Sequence, residues 1–274
     1  MRLDVYVAKQ WPEQSRSTWQ KLIQAGYVRV NGKVEKQIKR DVTETDSIEA
    51  TPPQQPSYDD MKLPIIYEDN SVIVIDKPVG VLTHSKGAVN QEFTVAEFVR
   101  PLTDYKQETN RPGIIHRLDR ATSGVLLCVK TNEAAAYIAK QFTNRTTKKH
   151  YMAVVSGVPN QLEAMIDLPI ERNPSAPSTF RVGPGGKSAE TYYKVLTSND
   201  EKSLIDLKPK TGRTHQLRVH MAYLGTPIVG DPVYGSVDAD RMYLHAASLE
   251  VTLPGGERKV FSSPLPASFK SQVA

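Results

Sequence analysis

The sequence predicts an α+β protein in two parts: a small N-terminal helix-plus-hairpin module, and a larger domain with a mixed, largely antiparallel sheet flanked by helices. Three observations carry this reading. Strand-like runs outnumber helical ones and often follow one another directly, unlike the regular alternation of a parallel α/β fold. The stretch TPPQQPSYDD, residues 51–60, holds three prolines and nothing to build a core, so it reads as a linker between residues 1–50 and 61–274. Composition is ordinary for a globular chain, 39% hydrophobic and 24% charged over 274 residues, which sets aside the collagen-like, disordered and membrane classes.

Within the first module, Ser15 or Ser17 can cap a helix over residues 15–25. Its Trp19, Leu22 and Ile23 share one face, and Gly26 is its stop. YVRVNGKVEK then alternates Val28, Val30 and Val34 around Asn31-Gly32, a dipeptide that tolerates the positive φ of a tight hairpin turn. Beyond the linker, IIYEDNSVIVIDKP reads as two short strands around Asp69-Asn70. Residues 94–100 and 132–142 read as helices, the second with Asn132 as its cap. HYMAVVSG, ETYYKVLT and SLIDLKP are strand-like, and MYLHAASLEVTL returns to strand. Between them THQLRVHMAYLG is a helix opened by Thr214 and closed by Gly225. PGGK at 184–187 lacks the spacing of a nucleotide-binding loop and reads as a flexible hairpin tip.

The formal net charge is +5, and up to residue 40 nine basic residues stand against three acidic ones. Positive charge concentrated on a small module is what a phosphate backbone attracts, because each neutralised phosphate releases condensed counterions. A solvated lysine-rich surface would give the same count. One cysteine, Cys128, excludes an internal disulfide and a Cys-rich zinc site; it is expected to be buried in a strand and inert, in a reducing compartment. Arg2, Asp4 and Lys9 interrupt the N-terminus before it reaches signal-peptide length, and no run approaches the roughly 18 uncharged apolar residues of a membrane helix. A cytoplasmic protein with no membrane partner is expected.

Two packets concentrate reactive side chains. In RPGIIHRLDRATSGVLLCVK, residues 111–130, Asp119 lies between Arg117 and Arg120, which favour its carboxylate form; such a group can act as nucleophile or general base. An isolated aspartate in a loop would more simply cap a turn. In PKTGRTHQLRVH, residues 209–220, Arg213, Arg218 and the amides opening a helix suit a phosphate or carboxylate. His215 and His220 are five apart and so fall on different helix faces, and no Cys or acidic spacing completes a zinc site, so no metal is expected. His84, His150 and His245 read as structural.

Taken in order, EDNSVIVIDKPVGVLTHS at 68–85, HRLDRATSG at 116–124, KHYMAVVSG at 149–157 and GRTHQLRVH at 212–220 resemble the successive signature motifs of the RluA/RluD-type pseudouridine synthases. SRSTWQKLIQAGYVRVNGKV is similar to the small S-four-type RNA-binding domain that often precedes that catalytic domain, although TETDSIE at 43–49 lacks the glycine that commonly precedes the aspartate. The resemblance implies isomerisation of uridine to pseudouridine in structured RNA, with no cofactor or metal. It implies that Asp119 is the catalytic residue, that Tyr151 stacks on the uracil, that Arg218 pairs with Asp119 and that Leu217 packs against the base. Arg117 would fill the gap left by the flipped target nucleotide. Whether the aspartate attacks the anomeric carbon, adds to the uracil ring or takes another route stays open.

Arg16, Lys21 and Lys33 are the expected phosphate contacts of the N-terminal module. An attached S-four-type domain favours large-subunit ribosomal RNA over transfer RNA as the substrate, and a monomer is expected. The alternatives are a noncatalytic RNA-binding or ribosome-assembly protein that retains the fold, and a carboxylate-dependent hydrolase, for which no paired-carboxylate motif is apparent.

Overall fold

The computed structural model describes residues 1–53, 56–85, 92–235 and 238–274. Of the Pro-rich stretch, Gln54 and Gln55 lie outside the described residues.

The N-terminal module opens with a helix absent from the sequence reading, α1 (Leu3–Gln10), followed by α2 (Arg16–Ala25). The apolar period of α1 is masked because Asp4 shares its buried side with Leu3 and Val7. That buried carboxylate accepts from Arg2 at 3.0 Å, Arg16 at 2.9 Å and Gln20 at 2.6 Å. Burial alone would raise its pKa; these donors outweigh burial and hold it below the usual range. Ser15 rather than Ser17 caps α2 through the Thr18 amide, and Gly26 ends it at φ 90°. Strands β1 (Val28–Val30), β2 (Lys33–Val34) and β3 (Ile48–Ala50) form a sheet in the order β2-β1-β3. Asn31 and Gly32 turn its hairpin at φ 52° and 75°.

Thr51 still donates its amide to Tyr27 at 3.0 Å, and Tyr58 rests on Phe93 with ring centroids 5.5 Å apart. The Pro-rich stretch is therefore anchored at both ends.

The larger part follows as β4 (Ile65–Glu68), β5 (Val72–Lys77), α3 (Val95–Val99), β6 (Ser123–Val129), α4 (Asn132–Thr143) and β7 (Lys148–Ser156). Next come β8 (Glu163–Asp167), β9 (Ile170–Arg172), β10 (Phe180–Val182), β11 (Glu190–Ser198) and β12 (Lys202–Pro209). The chain ends with α5 (Gln216–Tyr223), β13 (Leu244–Thr252), β14 (Arg258–Ser262) and α6 (Ala267–Ser271). The main sheet runs β4-β5-β6-β13-β7-β12-β11-β8, with β14 also beside β13, and β9 and β10 form a separate hairpin. Every pairing in the main sheet is antiparallel except β6 with β13.

The uninterrupted apolar runs of β5 and β6 are explained by burial on both faces. Val72, Val74, Val125 and Leu127 pack with Ala134 and Ile138 of α4. Ile73, Ile75, Leu126 and Cys128 pack with Val95 and Val99 of α3. Each such fully buried aliphatic side chain contributes about 1.5–3 kcal/mol. Helix α5 lays Leu217 and Met221 against Ala153, Val155, Ile205 and Leu207 of β7 and β12. Among the described residues no helix is long and apolar enough to cross a membrane.

Three local expectations need correction. Thr131, not Asn132, caps α4, accepting from the Ala134 amide. Helix α5 opens at Gln216 with left-handed His215 (φ 56°) at its cap position, not Thr214. The reason is the Gln216 side chain, which accepts from Thr211 and the Arg213 amide and donates to Glu190 O and Thr191, folding the preceding loop onto itself. The PGGK turn is no free tip, since Lys187 and Ile170 exchange backbone hydrogen bonds at 2.9 and 3.0 Å.

Candidate active site

Two loops distant in sequence are stitched together to hold Asp119. Thr83 Oγ1 donates to Leu118 O at 2.7 Å and accepts the Leu118 amide at 3.2 Å, while the Gly80 amide donates to Arg120 O at 2.9 Å. Beneath them Lys77, fully buried at the end of β5, donates from Nζ to Pro78 O and Val81 O at 2.8 Å and to Arg120 O at 3.3 Å. Burial lowers its pKa to about 7, against the opposing pull of Asp119. The loop then enters β6 through Gly124, at φ 106°, where a Cβ would stand 2.2 Å from Ala246 O of β13. Only glycine fits that approach.

Asp119 does not cap its own turn. Its Oδ2 accepts Arg218 Nη1 at 2.9 Å, from a buried residue of α5. Nor does Arg120 serve it: that guanidinium points to Glu92 at 2.6 Å. The other two nitrogens of Arg218 are held by Asp231, Nε to Oδ2 at 2.7 Å and Nη2 to Oδ1 at 2.8 Å. Asp231 is fully buried and also accepts the amides of Val233 and Tyr234. Burial raises its carboxyl, and Arg218 with the two amides more than offsets that, so it lies below the usual range.

His215 places Nε2 3.8 Å from the same Asp119 oxygen. Its Nδ1 is hydrogen-bonded to Tyr234 Oη at 2.8 Å, and that oxygen accepts the Phe180 amide at 2.9 Å. Burial draws the imidazole pKa down, with Asp119 opposing.

A cavity of about 530 Å³ opens at Asp119. The five catalytic-domain residues singled out in the sequence, Arg117, Asp119, Tyr151, Leu217 and Arg218, all line it. Arg117 is exposed. Tyr151 comes from β7, opposite Leu207 of β12 and Ala246 of β13, and burial, then Asp119, pushes its hydroxyl pKa up. Leu244 is a further lining residue that the sequence did not distinguish. A carboxylate held this way is available as nucleophile or base, beside an aromatic ring and two leucines that suit the face of a planar ring.

The three cations expected to contact phosphate do not line this cavity. Arg16 is bound to Asp4, whereas Lys21 and Lys33 are exposed. Cys128 is buried with its thiol pKa pushed up by burial. His220 sits between Thr191 Oγ1 and Leu168 O, each at 3.0 Å, and His245 bonds Ser123 at 2.9 Å. Sequence reading missed Asp231 and Tyr234; an aspartate beside proline in GDPVYG signals an Asx-type turn, but nothing local to that stretch points to Arg218.

The chain is similar to known proteins over almost its whole length. A family model described as RNA pseudouridylate synthase matches residues 71–223, and one for the S4 domain matches residues 1–48. The ribosomal large subunit pseudouridine synthase D of Borreliella burgdorferi is 38% identical over 98% of this chain and 87% of its own. Its namesake from Nitrosomonas europaea is 35% identical over 97% of this chain and 81% of its own. The structure of human RNA pseudouridylate synthase domain containing 1 superposes with a TM-score of 0.64 at 29% identity, covering 78% of this chain and 87% of that one.

Proposed function

The chain belongs to the RNA pseudouridylate synthase family, whose members are RNA isomerases, and from that premise we propose that it converts a uridine of large-subunit ribosomal RNA into pseudouridine with Asp119 as its catalytic residue. The observation that carries the residue assignment is the Arg218 bond to Asp119, made by a guanidinium already locked on Asp231, in the cavity shared with Tyr151 and Leu217. The choice of RNA rests on relatives named ribosomal large subunit pseudouridine synthase that match nearly the whole chain.

The reaction breaks the bond from ribose to ring nitrogen, turns the uracil and joins ribose to a ring carbon. A stacked uridine hides both centres, so it is flipped out at a cost of about a few kcal/mol. Exposed Arg117 is suited to stack in the gap and to hydrogen-bond the orphaned partner. Tyr151 and Leu217 receive the uracil. As the base closes over Asp119 its carboxylate loses water, and Arg218 offsets that desolvation. Residues 1–50 act as a separate RNA-binding unit, with Lys21 and Lys33 on phosphates, joined through 51–60 to the catalytic unit 61–274, in a cytoplasmic monomer.

Pseudouridine mapping of ribosomal RNA from cells with and without the gene identifies the target. Release of tritium from the ring position that forms the new bond, by the purified protein, tests the reaction. No gene-dependent position in large-subunit RNA would refute the target, and no tritium release from any RNA would refute the activity.

A further inference from the structure

The same cavity has a second wall that the uridine reading does not use. It is formed by the end of α4, the start of β7 and the loop after β12, and it carries Arg145, Lys149, Lys210 and Arg213. Among the described residues one carboxylate answers these four cations: Glu190, 3.4 Å from both Arg145 and Lys210. Among the described residues Lys149 and Arg213 have no carboxylate partner. Lys149 Nζ donates to Thr211 O at 2.8 Å and Arg213 Nε to Ser188 O at 2.9 Å, both neutral acceptors.

Ordinary structural roles do not absorb this charge. A cation at the C-terminal end of α4 is favoured by the helix dipole, which accounts for Arg145 alone. A partly buried ammonium beside two guanidiniums is unfavourable without an anion. Burial, then Arg145 and Arg213, lower the Lys149 pKa to about 8. Gly212 adjoins the ammonium: a Cβ there would stand 3.6 Å from Lys149 Nζ, so the missing side chain leaves room beside it.

We propose that Arg145, Lys149 and Arg213 form a phosphate subsite that holds a backbone phosphodiester of the RNA next to the target uridine. The proposal rests on the assignment of the Asp119 cavity to that uridine. Guanidinium and ammonium donors converging on one cavity wall match a phosphodiester's two free oxygens through charge-assisted hydrogen bonds.

The test measures Kd for a short RNA carrying the mapped uridine, with one phosphate at a time replaced by a neutral methylphosphonate. At one phosphate flanking the uridine, replacement should weaken binding to the unmodified protein about tenfold, but binding to Lys149→Gln less than about twofold, because the charged partner is already gone. Arg145→Gln, half exposed and so harmless to folding, should show the same loss of coupling. Equal losses for the unmodified protein and both variants at every phosphate overturn the subsite while tritium release continues. If the unmodified protein releases no tritium, the uridine assignment itself falls and takes the subsite with it.

Discussion

Asp231 grips Arg218 at two points, Nε to Oδ2 at 2.7 Å and Nη2 to Oδ1 at 2.8 Å, and thereby aims the remaining nitrogen at Asp119. Because Asp231 is fully buried and further tied by two backbone amides, the direction of the guanidinium is set from behind. Asp119 receives an oriented donor rather than a mobile surface arginine.

Removing the rear partner should therefore cost both stability and turnover. Asp231→Ala leaves a buried guanidinium short of its counterion, and about 3–5 kcal/mol should be lost in urea unfolding. Asp231 has a lowered folded-state pKa, so its stabilisation is complete above the ordinary carboxylate range and lost as pH falls through the lowered value. The stability gap between the unmodified protein and Asp231→Asn should narrow at acid pH. A gap that widens toward acid would contradict the pairing.

Asp119→Asn keeps the shape of the side chain and removes its charge. The variant should fold and bind RNA yet form no pseudouridine, and Arg218→Ala should lose activity far more than affinity. Near-normal tritium release by Asp119→Asn would falsify the catalytic assignment.

Lys77 makes a different prediction, because it holds the Asp119 loop through Arg120 O rather than facing the cavity. Lys77→Met leaves three carbonyls without their ammonium donor, at a cost of about 1–3 kcal/mol. Its folded-state pKa of about 7 is below that of the unfolded chain, so unfolding takes up a proton between about pH 7 and pH 10 and stability rises with pH across that window. The stability of the unmodified protein relative to Lys77→Met should climb there. A flat difference would mean that the lysine titrates normally.

For the N-terminal module the observable is salt dependence. Lys21→Gln and Lys33→Gln should each reduce the slope of log affinity against log salt by about 1, whereas Arg16→Gln should also destabilise the module by removing one of the charged donors to buried Asp4 and leaving Arg2 and Gln20. A truncation should begin before Tyr58, which packs on Phe93. Residues 57–274 should bind RNA more weakly with a flatter slope while recovering much of the single-turnover rate at saturating RNA. Unchanged affinity and slope would make the basic module a solvated surface.

Elements governed by local dihedral preference and short-range period were legible in the chain. Asn31-Gly32 turns its hairpin, Gly26 stops α2, and Gly225 at φ 78° follows α5 as expected. Helix α1 was not legible, because its buried Asp4 is satisfied by Arg16 and Gln20 from another helix. His215 replaced Thr214 at the α5 cap for a similar reason: Gln216 organises that loop through Thr191 on a neighbouring strand. In each case a contact outside the local window outweighed a local preference of about 1 kcal/mol.

By itself the sequence determined the two-part α+β plan, the family resemblance and the catalytic-domain residues that gather at one cavity, since motif spacing and chain order carry that information. The resemblance already implied the partner of Asp119; what holds Arg218 against Asp119 was decided by the tertiary structure. Arg117 and Arg120 are its sequence neighbours, yet Arg120 turns to Glu92 and Arg218, 99 positions along the chain, makes the bond with Asp231 behind it. That pairing exists because Gly124 allows β6 to lie against β13 and because α5 packs on β7 and β12. A buried ion pair is selected by the position of whole elements, and spacing along the chain does not encode that position.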